Sequence, residues 1–103
     1  MSLTAAHVRQ LVAALPDTVE GAHHGHPDFR VNKKIFATLS EHEDRAVLRL
    51  TQLEARELAR RYPEVYRCVS DREPFSWLSV VLEQVDEQQF GDLLEAAWSL
   101  RGG

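Results

Sequence analysis

The sequence lacks most of the residues and motifs from which common catalytic sites are built. It has a single cysteine, Cys68, so no intrachain disulfide can form, and no glycine-rich turn accompanies that thiol to activate it. No G-x-S-x-G, P-loop or G-x-G-x-x-G pattern occurs, which excludes the hydrolases and nucleotide sites built on them. No apolar run approaches membrane-spanning length, and the amino terminus has no basic start followed by an apolar run. We therefore expect a cytoplasmic, non-enzymatic protein with no cofactor and no contact with a membrane.

The length and the charge distribution predict one domain with a local basic region. A chain of 103 residues buries about 65% of its unfolded surface, enough for one core, so we expect a single domain over residues 1–103. The net charge is −4, but residues 27–72 carry ten Lys or Arg against eight Asp or Glu. Residues 73–103 carry one Lys or Arg against six Asp or Glu. This balance disfavours strong nonspecific DNA binding but permits a local basic face.

Three helices are predicted from capping residues and from apolar residues at a spacing of three and four. Thr51 followed by Glu54 forms a capping-box pattern. The predicted helices begin at the N-caps Thr4, Thr51 and Asp86 and end at Pro16, Pro63 and Gly102, respectively.

Between the first two helices the apolar period changes to two, which is typical of half-buried strands. The runs 29–31, 35–39 and 45–50 alternate in this way, and a later strand covers residues 77–82. A further strand is predicted over residues 18–22. Asn32 and Lys33 can form a two-residue hairpin turn, because asparagine tolerates positive φ. The pattern indicates an α+β fold, with an antiparallel sheet of two hairpins plus a later strand and three helices packed on it.

A histidine-rich segment precedes the second strand. His23, His24 and His26 offer imidazole ligands, and in an extended segment His24 and His26 share a face. No carboxylate or thiolate stands at a recognisable metal-ligand spacing nearby. We therefore interpret the segment as a polar turn before Pro27 and assign neither a metal site nor a catalytic residue.

One face of the predicted strands combines cations with aromatic residues. Basic side chains hold phosphates and aromatic rings stack on bases, so this face is the candidate nucleic-acid surface. The alternative is that the aromatic residues belong to the core and the cations form an ordinary solvated face. By strict alternation, and with Lys33 added from the turn, the candidate residues are Arg30, Lys33, Lys34, Phe36, Arg45, Arg49 and Trp77.

The run HPDFRVNKKIFATL, residues 26–39, resembles the signature stretch of the MmcQ/YjbR family of small bacterial proteins. Weaker matches extend the resemblance from about residue 5 to residue 100. It implies a CyaY-like fold, similar to a double-wing DNA-binding domain, and members of the family are commonly described as DNA-binding. Frataxin-type iron binding uses an acidic first helix; residues 4–15 contain no Asp or Glu, so we do not expect it here.

Three functional hypotheses remain open from the sequence. The first is DNA binding through the basic strand face. The second is a protein-interaction module, self-associating as a homodimer through a sheet edge or face. The third is an enzyme acting on a small molecule, with the three histidines of residues 23–26 in a cleft.

Overall fold

The computed structural model describes residues 3–103, apart from the side chain of His23. Along the chain the elements are α1 Ala5–Ala13, β1 Thr18–His23, β2 His26–Val31, β3 Lys34–Leu39, β4 Arg45–Thr51, α2 Gln52–Arg61, β5 Tyr66–Arg72, β6 Phe75–Val81 and α3 Glu87–Ser99. The six strands form one antiparallel sheet in the order β1-β2-β3-β4-β6-β5. The predicted α+β class is confirmed. Within residues 3–103 no helix is long and apolar enough to cross a membrane.

Each helix begins at the capping residue that the sequence predicts. The side chains of Thr4, Thr51 and Asp86 accept hydrogen bonds from the backbone N–H groups three residues further on. These bonds satisfy donors that have no partner inside the helix, which typically stabilises a helix by about 1 kcal/mol.

All three helices contribute to one hydrophobic core on one side of the sheet. Alternate residues of the central strands, such as Leu48 on β4 and Leu78 on β6, are fully buried beneath them. On the opposite side, Arg45, Val47 and Arg49 of β4 are exposed or partly exposed. We call this opposite side the outer face; no helix of the described chain covers it.

The sequence did not predict β5, which lies at one edge of the sheet. Four of its seven residues run consecutively exposed at its end, and its pairing with β6 shifts register between Cys68 and Ser70. The extra residue, Val69, is a β-bulge. A bulged edge strand with one packed face carries no regular alternation, which is why the period of two is absent from this stretch.

A second bulge changes the pattern within β3. Phe29 pairs with Ala37 and Arg30 pairs with Ile35, so Phe36 is the extra residue between them. Phe36 and Ala37 are therefore both buried, and Ile35 lies on the outer face. Strict alternation predicted the opposite placement of Ile35 and Phe36, and that prediction is wrong because of the bulge.

The link between β2 and β3 is the predicted two-residue turn. Asn32 has φ of 52° and Lys33 has φ of 65°. Two consecutive residues in the left-handed region form the turn type that matches the twist of a hairpin. The turn thereby places a lysine at the tip of the outer face.

Tyr66 joins the end of the sheet to the third helix. Its ring is buried, its hydroxyl donates to Oε1 of Gln89 at 2.5 Å, and burial raises its pKa to about 12. Because the unfolded tyrosine loses its proton near its ordinary value of 10.0, the stability that neutral Tyr66 contributes is full below pH 10 and is lost as the pH rises toward about 12.

We therefore expect the free energy of unfolding to fall between these two pH values, and to fall less steeply in Tyr66→Phe. Urea titrations of both proteins at neutral and alkaline pH measure the difference. Identical pH slopes for the wild type and Tyr66→Phe would contradict the assignment.

Candidate functional site

The outer face contains a pocket of about 660 Å³ next to Trp77. This volume lies within the range of small-molecule sites. We call it the Trp77 pocket. No carboxylate lines it among the described residues. Its apolar wall consists of Ile35, Val47, Val69 and Trp77. The cations at its border are Arg30, Lys33, Lys34 and Arg101.

Most cations on the outer face have no carboxylate partner. In the part of the chain that the structure describes, Arg30 alone among them forms an ion pair. Arg67 belongs to the same face because it pairs with Ser79, two residues from Trp77 on β6. The unpaired cations of this face are Lys33, Arg45, Arg49, Arg67, Arg72, which pairs with Phe75, and Arg101. Lys34 pairs with the core residue Val31 and borders the pocket from the hairpin end.

Arg30 forms an ion pair with Asp28 inside the protein. Its Nε and Nη2 donate to the two carboxylate oxygens of Asp28 at 3.0 and 3.1 Å, and this contact raises the pKa of Arg30. The Asp28 side chain is 0% exposed, whereas that of Arg30 is 39% exposed. Gly21 on β1 faces the pair, since a Cβ there would stand 3.0 Å from Oδ1 of Asp28. The Arg30 guanidinium therefore neutralises a buried carboxylate, so its charge is already balanced before any ligand binds.

Arg49 lies across an aromatic ring in a partly desolvated position. Its Cζ is 3.6 Å from the centre of the Phe75 ring, a cation–π contact. Its Nη1 is buried and has no hydrogen-bond partner among the described residues. Burial lowers the pKa of Arg49, and the charge of Arg101 lowers it further. Two neighbouring guanidinium groups without a carboxylate form a region of concentrated positive potential.

Arg101 reaches the outer face from the end of α3. Gly102, with φ of 92°, reverses the chain after the helix, as its prediction as a helix stop implies. Asn32 then donates from Nδ2 to the carbonyl of Arg101 at 3.1 Å, and Arg101 donates from Nε to the carbonyl of Ile35 at 3.0 Å. The hairpin turn thus holds the carboxyl-terminal segment against the edge of the pocket.

The structure corrects two candidate site residues. Lys34 pairs with Val31, whose side chain lies in the core, so the bulge at Phe36 turns Lys34 toward the helical side of the sheet. Phe36 is 0% exposed and part of the core, so it has no surface on which a base could stack. Trp77 is partly exposed and lines the pocket. The alternation of residues along the predicted strands did not identify Arg67, because β5 was not predicted. It did not identify Arg101, because nothing in the sequence indicates where the end of α3 folds back.

The histidine segment is a turn, as interpreted, but its geometry differs from the extended one considered for chelation. His24 and Gly25 both have positive φ and reverse the chain between β1 and β2. His24 and His26 therefore do not share a face of one extended strand. No group of three metal-ligating side chains able to hold an ion occurs among the described residues.

Negative charge lies on the helical side of the molecule. α3 presents Glu87, Asp92 and Glu95 at exposed positions. These acidic residues contribute to the net charge of −4 and lie on the opposite side of the molecule from the outer face.

Comparison with known proteins identifies the family. The model of the YjbR family matches residues 13–100. The chain belongs to the YjbR family. It is also similar to the crystal structure of Deinococcus radiodurans protein DR2400, which carries the domain named DUF419. That match has a TM-score of 0.84 at 20% identity and covers 96% of this chain and 78% of the other. Curated protein sequences give no match.

Within this YjbR chain, Lys33 occupies a backbone conformation that favours glycine. A Cβ in the left-handed region costs roughly 1–2 kcal/mol, and added flexibility of the unfolded chain offsets part of that on replacement by glycine. We expect Lys33→Gly to raise the free energy of unfolding by about 0.5–1 kcal/mol. Lys34→Gly, within β3, should lower it by a similar amount. Urea denaturation of the two variants measures both free energies of unfolding. A Lys33→Gly variant less stable than the wild type would show that the backbone at Lys33 is not strained.

Arg30 should matter more for stability than its neighbours on the outer face. Arg30→Ala leaves the buried Asp28 carboxylate without its partner, so we expect a lower denaturation midpoint than for Arg45→Ala. Adding Asp28→Asn to Arg30→Ala should recover part of the loss, because the uncompensated charge is gone. Equal midpoints for Arg30→Ala and Arg45→Ala would show that the pair has no structural role.

Proposed function

We propose that this YjbR-family protein binds DNA, as a single strand lying across the outer face. The observation that carries the proposal is the set of unpaired cations on a sheet face that no helix of the described chain covers. Phosphates require such cations, and an exposed aromatic ring beside them supplies a surface on which a base can stack. Trp77 is that ring.

The charge distribution supports one orientation of the strand. The acidic residues of α3 repel phosphates from the helical side, so the backbone is directed to the sheet. Lys33 lies at one end of the outer face, and Arg45, Arg67 and Arg72 lie at strand positions on it. A strand that contacts these four cations should lose affinity with salt at a log–log slope of about −3.

The proposal takes the protein to act in the cytoplasm, where the sequence analysis places it. Because the whole chain is acidic, the affinity should be modest at physiological salt and should depend strongly on the outer face. Self-association and catalysis by the histidine segment remain hypotheses of the sequence analysis. A concentration-dependent mass in the absence of DNA would favour the first of these.

The test is fluorescence anisotropy of labelled oligonucleotides, single- and double-stranded, at several salt concentrations. We expect Arg45→Ala/Arg67→Ala to weaken single-strand binding by about tenfold or more at low salt, and to flatten the salt slope by about 1.4, because two phosphate contacts are lost. Both residues are exposed, so the fold should tolerate the change.

The matched control is Arg60→Ala/Arg61→Ala, which removes the same charge from exposed positions on α2. Its affinity should stay within about twofold of the wild type, because these residues lie outside the interface. Equal losses in the two double variants would mean that net charge, and not the outer face, governs binding. No binding by the wild type at low salt would refute the function.

A further inference from the structure

We infer that the Trp77 pocket is a subsite for one nucleotide unit, with a planar base against the Trp77 ring and its phosphate at Arg101. The inference rests on the proposed function and specifies which part of the outer face takes a base. The chemistry is shared by two sources, a free mononucleotide and one nucleotide of a strand.

The pocket has the mixed lining that a nucleotide requires. Ile35, Val47 and Val69 surround the partly exposed Trp77 and provide an apolar floor for a planar ring. Thr38 and Ser70 add hydroxyl groups that donate to or accept from a base edge. A purely apolar ligand would leave these hydroxyls and the bordering cations unsatisfied, and a simple inorganic anion would leave the apolar floor in water.

The anion position follows from the guanidinium groups beside the pocket. Arg101 borders it directly and carries its charge without a carboxylate partner in the described chain. Arg49, adjacent to Arg101, has a buried Nη1 that makes no hydrogen bond there. A desolvated charge of this kind is costly unless an opposite charge approaches it. A phosphate at Arg101 supplies that charge, and Lys33 and Lys34 border the same pocket.

Asn32 is the positioning residue of this subsite. Its Nδ2 fixes the carbonyl of Arg101, while its positive φ shapes the turn that carries Lys33. Asn32→Gly would keep the turn but remove the side-chain hydrogen bond that holds the carbonyl of Arg101. In that variant the contribution of the phosphate to ligand binding should fall, although no side chain that contacts the ligand has changed.

The experiment follows the two indole N–H signals by NMR during titration with thymidine monophosphate, thymidine and inorganic phosphate. Trp98 is an internal reference, because its Nε1 donates to the carbonyl of Pro16 at 3.0 Å, away from the outer face. Trp77→Phe assigns the signals. We expect thymidine monophosphate to shift the Trp77 signal and to bind at least about tenfold tighter than thymidine or phosphate alone, because ring and anion are held together.

Variants separate the two parts of the subsite. Arg101→Ala should abolish the advantage of the monophosphate over thymidine, and Asn32→Gly should reduce it. Val69→Glu, at a side chain that is 51% exposed, should reduce binding of both ligands, because it adds a carboxylate at the pocket wall. The control Leu53→Glu, at an 84% exposed position on α2, should change neither.

The outcomes distinguish this inference from the proposed function. If oligonucleotides bind with the expected salt dependence but the monophosphate binds no tighter than thymidine, or leaves the Trp77 signal unmoved, the subsite is refuted and DNA binding stands. If the monophosphate binds as expected and oligonucleotides do not, DNA binding is refuted and the ligand is a free nucleotide. Strand affinity that falls in Arg101→Ala identifies the strand as the source.

Discussion

The β-bulge at Phe36 is the constraint on which both the core and the outer face depend. One additional residue in β3 turns the Phe36 ring into the core and leaves the neighbouring Ile35 side chain at the wall of the Trp77 pocket. The carbonyl of Ile35 then accepts the hydrogen bond that anchors Arg101. Without the bulge, an aromatic ring would lie on the outer face and the carboxyl-terminal segment would lose its attachment there.

Electrostatics divides the molecule along the plane of the sheet. On the helical side Arg9, Arg56 and Arg60 each form an ion pair, as in the contacts of Arg9 with Glu20 and Glu43. Among the outer-face residues that the structure describes, only Asp28 balances a cation, and it is buried beneath Arg30. The repulsion among the remaining cations costs stability in the free protein, which an anionic ligand would offset on binding.

The sequence predicted the features that depend on local interactions. Thr51 identifies the start of α2, because its hydroxyl accepts a hydrogen bond from a backbone N–H only three residues away. Asn32 identifies the hairpin turn, because its left-handed conformation reverses the chain at that position. The features it did not predict depend on pairing between distant segments. The two bulges exist only relative to a partner strand, and Arg101 reaches the outer face through contacts with residues more than sixty positions away. The basic positions of β4 were identified, whereas Lys34 and Phe36 were assigned to the wrong side of β3.

The two edges of the sheet differ in a way that limits how copies of the chain can assemble. β5 interrupts its hydrogen-bonding row at the Val69 bulge and follows it with exposed charged residues, which disfavours addition of another strand. β1 pairs with β2 in unbroken register over all six of its residues, so its outer edge is the regular one. Growth of the sheet is therefore favoured at the β1 edge over the β5 edge. Antiparallel pairing of β1 with β1 is two-fold symmetric and closes after two copies, so the architecture permits a dimer and opposes an open filament.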